Sequence, residues 1–121
     1  MSALPTSSLL PGAPRQVLVV RTGTANLASV VAGLRRAGSV PLVSDERQPI
    51  EIAERLVLPG VGSFAAAMRR LQALDLGGVL LDRVLAGRPT LAVCLGLQLL
   101  CESSEESPGI SGLGVIPCRV A

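Results

Sequence analysis

The chain contains no histidine, no tryptophan and no tyrosine, and Phe64 is its only aromatic residue. Lysine is missing too, since all eleven basic residues are arginines. Without histidine, the side chain most often used as a neutral-pH base, and the commonest metal ligand, is absent from these 121 residues. The cysteines, Cys94, Cys101 and Cys118, form no C-x-x-C pair. No metal site is therefore expected, and no motif calls for a cofactor. Three cysteines without paired spacing also argue against a disulfide framework and for a reducing compartment. The arginines are scattered, with doublets only at Arg35-Arg36 and Arg69-Arg70, so no basic stripe points to nucleic acid. No apolar run approaches the length needed to cross a membrane. Residues 1–14 have no basic segment ahead of an apolar core, and prolines at 5, 11 and 14 interrupt them, which is unlike a signal peptide. The expectation is a soluble, cytoplasmic protein that binds neither membrane nor nucleic acid.

What the chain does contain is aliphatic. Hydrophobic residues make up 49% of it, and with so few aromatics the core must be built from Leu, Val, Ile and Ala. That composition suits a parallel sheet covered on both faces. Met1–Pro14 reads as a flexible Ser- and Pro-containing leader, and residues 15–121 as one folded unit. Gln16–Arg21 predicts a buried strand. Asn26 can then cap a helix whose apolar stripe is Leu27, Val30, Val31 and Leu34, ended by Gly38. Val40–Val43 and Leu56–Leu58 predict two more strands, with a short helical link at Glu51–Arg55. Ser63 can cap a helix burying Phe64, Ala67, Met68 and Leu71. A further helix at about Gly78–Ala86 leads to a strand at Thr90–Val93. Val115–Val120 could form one more strand. Strands alternating with helices give an α/β fold with a three-layer arrangement, helices on both faces of a parallel sheet.

Pro89–Gln98 has the most chemical content. An apolar, strand-like run ends on Cys94, Gly96 follows two residues later, and Leu97, Leu99 and Leu100 begin a helix-compatible segment. Strand, sharp turn with nucleophile, and helix are the parts of a nucleophile elbow, with a small residue letting helix and strand pack closely. Alone, a cysteine at a strand end is usually a small buried hydrophobe, and the strand-turn-glycine-helix context reverses that preference. Pro59-Gly60-Val61-Gly62 also has two readings. It can be a plain strand-to-helix turn, or a loop whose amides stabilise the oxyanion formed when Cys94 attacks a carbonyl. The Leu95 amide is the other natural donor. Both loops, with Thr22–Asn26, follow strand carboxyl ends, where ligands gather in open parallel sheets. Glu102–Glu106 reads as a solvated helix end or loop, and Cys101 and Cys118 as core residues.

Leu58–Gly62 and Cys94–Leu100 together resemble the amino-terminal half of a class I glutamine amidotransferase. Thr22–Val30, Ser104–Gly109 and Gly112–Pro117 are similar to the glutaminase subunit of imidazole glycerol phosphate synthase. The resemblance spans about Val17 to Val120. It implies the flavodoxin-like fold of that family, a truncated form of it here, with residues 15–121 as the amino-terminal part of the amidotransferase domain. It also implies that Cys94 attacks the side-chain amide of glutamine, with Leu95 and Gly60, Val61 and Gly62 forming the oxyanion hole after a peptide flip. Gln98 and Glu106 match positions that contact glutamine. The implied partner is a (β/α)₈ synthase subunit that receives the ammonia.

Three departures stand against the resemblance. Ala92 replaces the usual first glycine of the elbow, and Arg21 ends the first strand where an acidic residue is common. The family's catalytic His and Glu, which lie in its second half, have no counterpart here, so the chain alone is expected to be nearly inactive. Two other classes of function remain open: a non-catalytic half-domain that docks on a partner, and another elbow-type cysteine enzyme.

Overall fold

The computed structural model describes residues 15–23 and 26–121. The leader expected at Met1–Pro14 lies outside the described residues, as do Thr24 and Ala25. Four strands form a wholly parallel sheet in the order β2-β1-β3-β4: β1 Arg15–Val20, β2 Ser39–Ser44, β3 Leu56–Leu58 and β4 Thr90–Ala92. The helices are α1 Leu27–Arg36, α2 Arg47–Ile52, α3 Phe64–Ala73, α4 Gly77–Leu85 and α5 Leu95–Leu99. A separate parallel pair joins β5 Ser103–Ser104 to β6 Arg119–Val120.

Alternation along the strands divides the core. Leu18, Val20, Leu56 and Leu58 face a layer built from α2, α3, α4 and α5. In that layer Ile50, Phe64, Ala67, Met68, Leu71, Val79, Leu80, Leu95 and Leu99 are buried. Val17, Val19 and Val57 point the other way, toward Leu27, Val30 and Leu34 of α1. The α/β architecture with helices on both faces is thus present. Both expected caps form: Asn26 Oδ1 accepts from the Ser29 amide at 3.4 Å, and Ser63 Oγ from the Ala66 amide at 3.2 Å.

Some boundaries differ from expectation. The helical link falls at Arg47–Ile52 rather than Glu51–Arg55. Pro49 lies in its first turn, where a missing N–H costs no helical bond. The strand expected at Val115–Val120 contracts to Arg119–Val120. The segment before it spends its amides on the carbonyls ending α5 instead. Gly112, Leu113, Gly114 and Ile116 donate to Glu102, Leu99, Cys101 and Leu100 at 2.8, 2.8, 3.0 and 2.9 Å. These bonds satisfy carbonyls that a helix end otherwise leaves open. Cys118 is exposed rather than in the core, while Cys101 is buried as expected.

Candidate active site

β4 delivers Cys94 to the carboxyl end of the sheet, and the backbone there turns sharply. Cys94 has φ 53° and ψ −120°, one of two non-glycine residues with positive φ among the described residues. Such a conformation is uncommon outside glycine and stores about 1–3 kcal/mol of strain, which surrounding structure must hold in place. The hold is visible on both sides. Val93 N–H donates to Leu58 O at 3.0 Å, and the Leu97 amide donates to Cys94 O at 2.9 Å. The cysteine side chain stands exposed at the start of α5.

Gly96 makes the elbow sterically feasible. A Cβ at this position would overlap the Leu58 carbonyl oxygen, a backbone atom of the neighbouring strand. Only glycine lets α5 start this close to β3. Ala92, read from the sequence as replacing the elbow's first glycine, pairs with Leu58 and packs half-buried against the core. It fits without positive φ.

The Pro59–Gly62 loop meets the elbow directly. The Leu95 amide donates to Gly60 O at 3.1 Å. A Cβ on Gly60 would lie 3.0 Å from Leu95 Cβ and 3.2 Å from the Gly96 nitrogen, so this glycine too marks a close approach. Gly60 is buried, Val61 is 52% exposed and Gly62 has φ 94°. Of the expected oxyanion donors, Leu95 and Gly60 are therefore in contact, but with the Gly60 carbonyl rather than an amide facing the Leu95 N–H. Thr22, fully buried after β1, donates through Oγ1 to Pro59 O at 3.4 Å and ties the first loop to this one.

Gln98 lies one turn beyond Cys94, half-buried, its amide donating to Cys94 O at 3.3 Å. Glu106 is exposed in the turn after β5, where its amide donates to Ser104 Oγ at 3.3 Å. The segment read as a solvated helix end or loop forms β5 and a turn, with Glu102, Glu105 and Glu106 exposed and Ser104 buried.

One supporting residue escaped the sequence reading. Arg83 is 3% exposed, and its guanidinium donates to Thr90 Oγ1 at 3.1 Å, to Pro89 O at 2.8 Å and to Ala53 O. It fixes the entry to β4, the strand that leads to Cys94. Burial and the neighbouring Arg88 charge lower its pKa from the ordinary arginine value. Its signal was helical spacing: Arg83 falls on the buried face of α4 with Val79 and Leu80. Among the described residues no group of side chains is placed to hold a metal ion, and no helix is long and apolar enough to cross a membrane.

This geometry has close sequence relatives. Imidazole glycerol phosphate synthase subunit HisH of Thermococcus kodakarensis is 50% identical over 99 residues, covering 82% of this chain and 47% of that protein. The chain is a homologue of HisH. The subunit from Methanothermobacter thermautotrophicus is 43% identical over 104 residues, covering 86% of this chain and 52% of the relative. The chain thus spans about half the length of the HisH proteins it matches. No protein-family model matches it. The fold is shared with a crystallised glutamine amidotransferase at TM-score 0.69 and 20% identity, over 84% of this chain and 54% of that one. It is also shared with a putative peptidase E from Listeria monocytogenes at TM-score 0.63 and 10% identity, over 84% and 63%. The nearness to HisH, with the amidotransferase fold, bears out the resemblance read from the two motifs and from the segments 22–30 and 104–117.

Proposed function

We propose that this chain carries the nucleophile half of a glutaminase that supplies ammonia to an imidazole glycerol phosphate synthase partner in histidine biosynthesis. The strained Cys94 elbow, locked by Gly96 against β3, is the observation that carries the reading. The Cys94 sulfur attacks the side-chain carbonyl carbon of glutamine, its proton passing to a base. Collapse of the tetrahedral adduct breaks the C–N bond, and ammonia leaves with a proton taken from the acid form of that base. A γ-glutamyl thioester remains, which water hydrolyses to glutamate and free thiol.

The oxyanion needs two donors. Leu95 N–H is one, and it is engaged by Gly60 O in the present arrangement. Rotation of the Gly60–Val61 peptide would remove that carbonyl and bring the Val61 N–H toward the same point. Gly60 and Gly62 flank Val61 and give the loop freedom to turn. Gln98 and Glu106 would contact the glutamine substrate. The partner is a (β/α)₈ synthase subunit, and the setting is cytoplasmic.

The chain has no histidine, so the family's histidine base is not among its residues. General base catalysis commonly contributes about 10²–10⁴-fold, and glutamine turnover by the chain alone should be depressed by at least that factor. The nucleophile can be tested without turnover. A diazoketone analogue of glutamine should alkylate Cys94 selectively, and excess glutamine should suppress the reaction. Adducts spread evenly over the cysteines and indifferent to glutamine would remove the assignment. Glutamate release at full-length HisH rates, with the synthase partner present, would contradict the expected inactivity.

A second reading, a non-catalytic module docking on another protein, is favoured by the edge position of β4. There Leu91 is 57% exposed and Val93 38%. Glutamine-protected labelling of Cys94 separates the two, because a docking module has no need to recognise glutamine.

A further inference from the structure

Outside the elbow, the other two cysteines of the chain are brought together as a pair. Cys101 follows α5, and Cys118 immediately precedes β6. Their sulfurs lie 2.8 Å apart, Cys118 Sγ donating to Cys101 Sγ. That separation exceeds the ~2.05 Å of an S–S bond by less than an ångström. The backbone already holds the two residues side by side. Glu102 N–H donates to Cys118 O at 2.9 Å, and Gly114 N–H donates to Cys101 O at 3.0 Å. Gly112 completes the approach, because a Cβ there would overlap the Cys101 carbonyl oxygen.

The two thiols differ in access. Cys118 is exposed, whereas Cys101 is 4% exposed and its thiol also donates weakly to Leu97 O at 3.7 Å. Burial, reinforced by the hydrogen bond from Cys118, pushes the Cys101 thiol up to about 11. One sulfur can meet a reagent from solvent, and the other is sheltered but in contact with the first. This is the arrangement of an attacking and a resolving cysteine.

We propose that Cys101 and Cys118 are a redox modification site, closing to a disulfide by exchange with a low-molecular-weight disulfide. The Cys118 thiolate attacks one sulfur of the reagent RSSR, forming Cys118–S–SR and releasing one RS⁻. The Cys101 sulfur, losing its proton to solvent, then attacks Cys118 Sγ and expels the second RS⁻. The protein loses two thiol protons and two electrons, and RSSR becomes two RSH. The product clips the end of α5 to the start of β6 and closes the segment that carries Glu106 into a loop. The exchange requires nothing from Cys94 and does not depend on the glutaminase assignment.

Glutathione disulfide is the probe. The full chain is equilibrated in buffers of graded glutathione disulfide to glutathione ratio, quenched, denatured and alkylated. Three alkylated cysteines are expected under reducing conditions. Under oxidising conditions neither Cys101 nor Cys118 should remain alkylatable or carry glutathione, their joint mass being lower by two hydrogens, whether the exposed Cys94 is alkylated or glutathionylated. Digestion should then yield one cross-linked peptide joining the Cys101 and Cys118 segments, absent after dithiothreitol. Cys101→Ser should instead accumulate a glutathione adduct on Cys118, and Cys118→Ser should give no internal disulfide. The urea midpoint of the wild type should rise on oxidation, and that of Cys118→Ser should not. Retention of all three thiols, glutathione adducts without a cross-link in the wild type, or a cross-link that includes Cys94 would overturn the proposal.

Discussion

The two faces of the sheet are built to different standards. One is covered by four helices and lined by Leu18, Val20, Leu56 and Leu58, with Phe64, Leu71 and Leu99 fully buried against it. The other has three buried valines, Val17, Val19 and Val57, and one helix, α1, none of whose residues is buried. β4 belongs to both. Ala92, opposite Leu58, faces the packed side, while Leu91, opposite Val57, emerges on the sparse side. The difference shows which contacts hold the elbow. The strained turn at Cys94 rests on leucines and on the α5–β3 contact of the packed face. Rigidity is concentrated where a strained residue needs it.

The sharpest way to break this asymmetry is Gly96→Ala. The added methyl meets the backbone carbonyl of Leu58, so no side-chain rotation relieves the clash. α5 must lift from β3 or the Cys94 turn must relax. Overpacking of a core commonly costs ~1–3 kcal/mol, and a clash with backbone belongs at or above the top of that range. For a domain with ~5–15 kcal/mol of stability this is a large fraction. Urea denaturation followed by circular dichroism should show a loss above about 3 kcal/mol, or no cooperative transition at all. A variant within about 1 kcal/mol of wild type would mean that the helix does not sit on the strand this tightly.

Next in size is Leu71→Ala, on α3 and fully buried in the packed layer. Truncating such a leucine costs about 2–5 kcal/mol, the spread reflecting how far the cavity can collapse. The same unfolding experiment measures it. A loss below about 1 kcal/mol would place the packed face no higher than the sparse one.

Legibility in the sequence followed the same division. The stripe Phe64, Ala67, Met68 and Leu71 is buried residue for residue, because one helix face meets one continuous leucine surface. The stripe on α1 was equally regular in sequence. Yet Leu27, Val30 and Leu34 are only half-covered, and Val31 is not packed on the valine cluster. Periodicity reports which face a helix would bury, not how much surface is there to meet it. At the candidate site, Cys94, Gly96 and the Pro59–Gly62 loop were legible because turn chemistry and close packing restrict residue type locally. The partnership of Cys101 with Cys118 was not. It depends on amides at 112–116 turning back to cap α5, a contact that no local pattern encodes. Arg83 was obscured by the scatter of eleven arginines, although its spacing with Val79 and Leu80 set it apart.

The smallest expected effect is at Leu91, which tests the sparse face directly. Its side chain occupies the register position opposite Val57, yet remains 57% exposed because no helix among the described residues covers β4 on that side. Most of its apolar surface is already in water in the folded chain, so Leu91→Ala removes little burial. Substitutions of this kind usually stay within about 0.5 kcal/mol. Equality with wild type in urea, beside a multi-kcal/mol loss for Leu71→Ala, would confirm that the two faces of one sheet differ in what they contribute. A loss of 2 kcal/mol or more at Leu91 would instead mean that this face is covered in solution. Self-association as the cause would make that loss depend on protein concentration, since association stabilises by mass action.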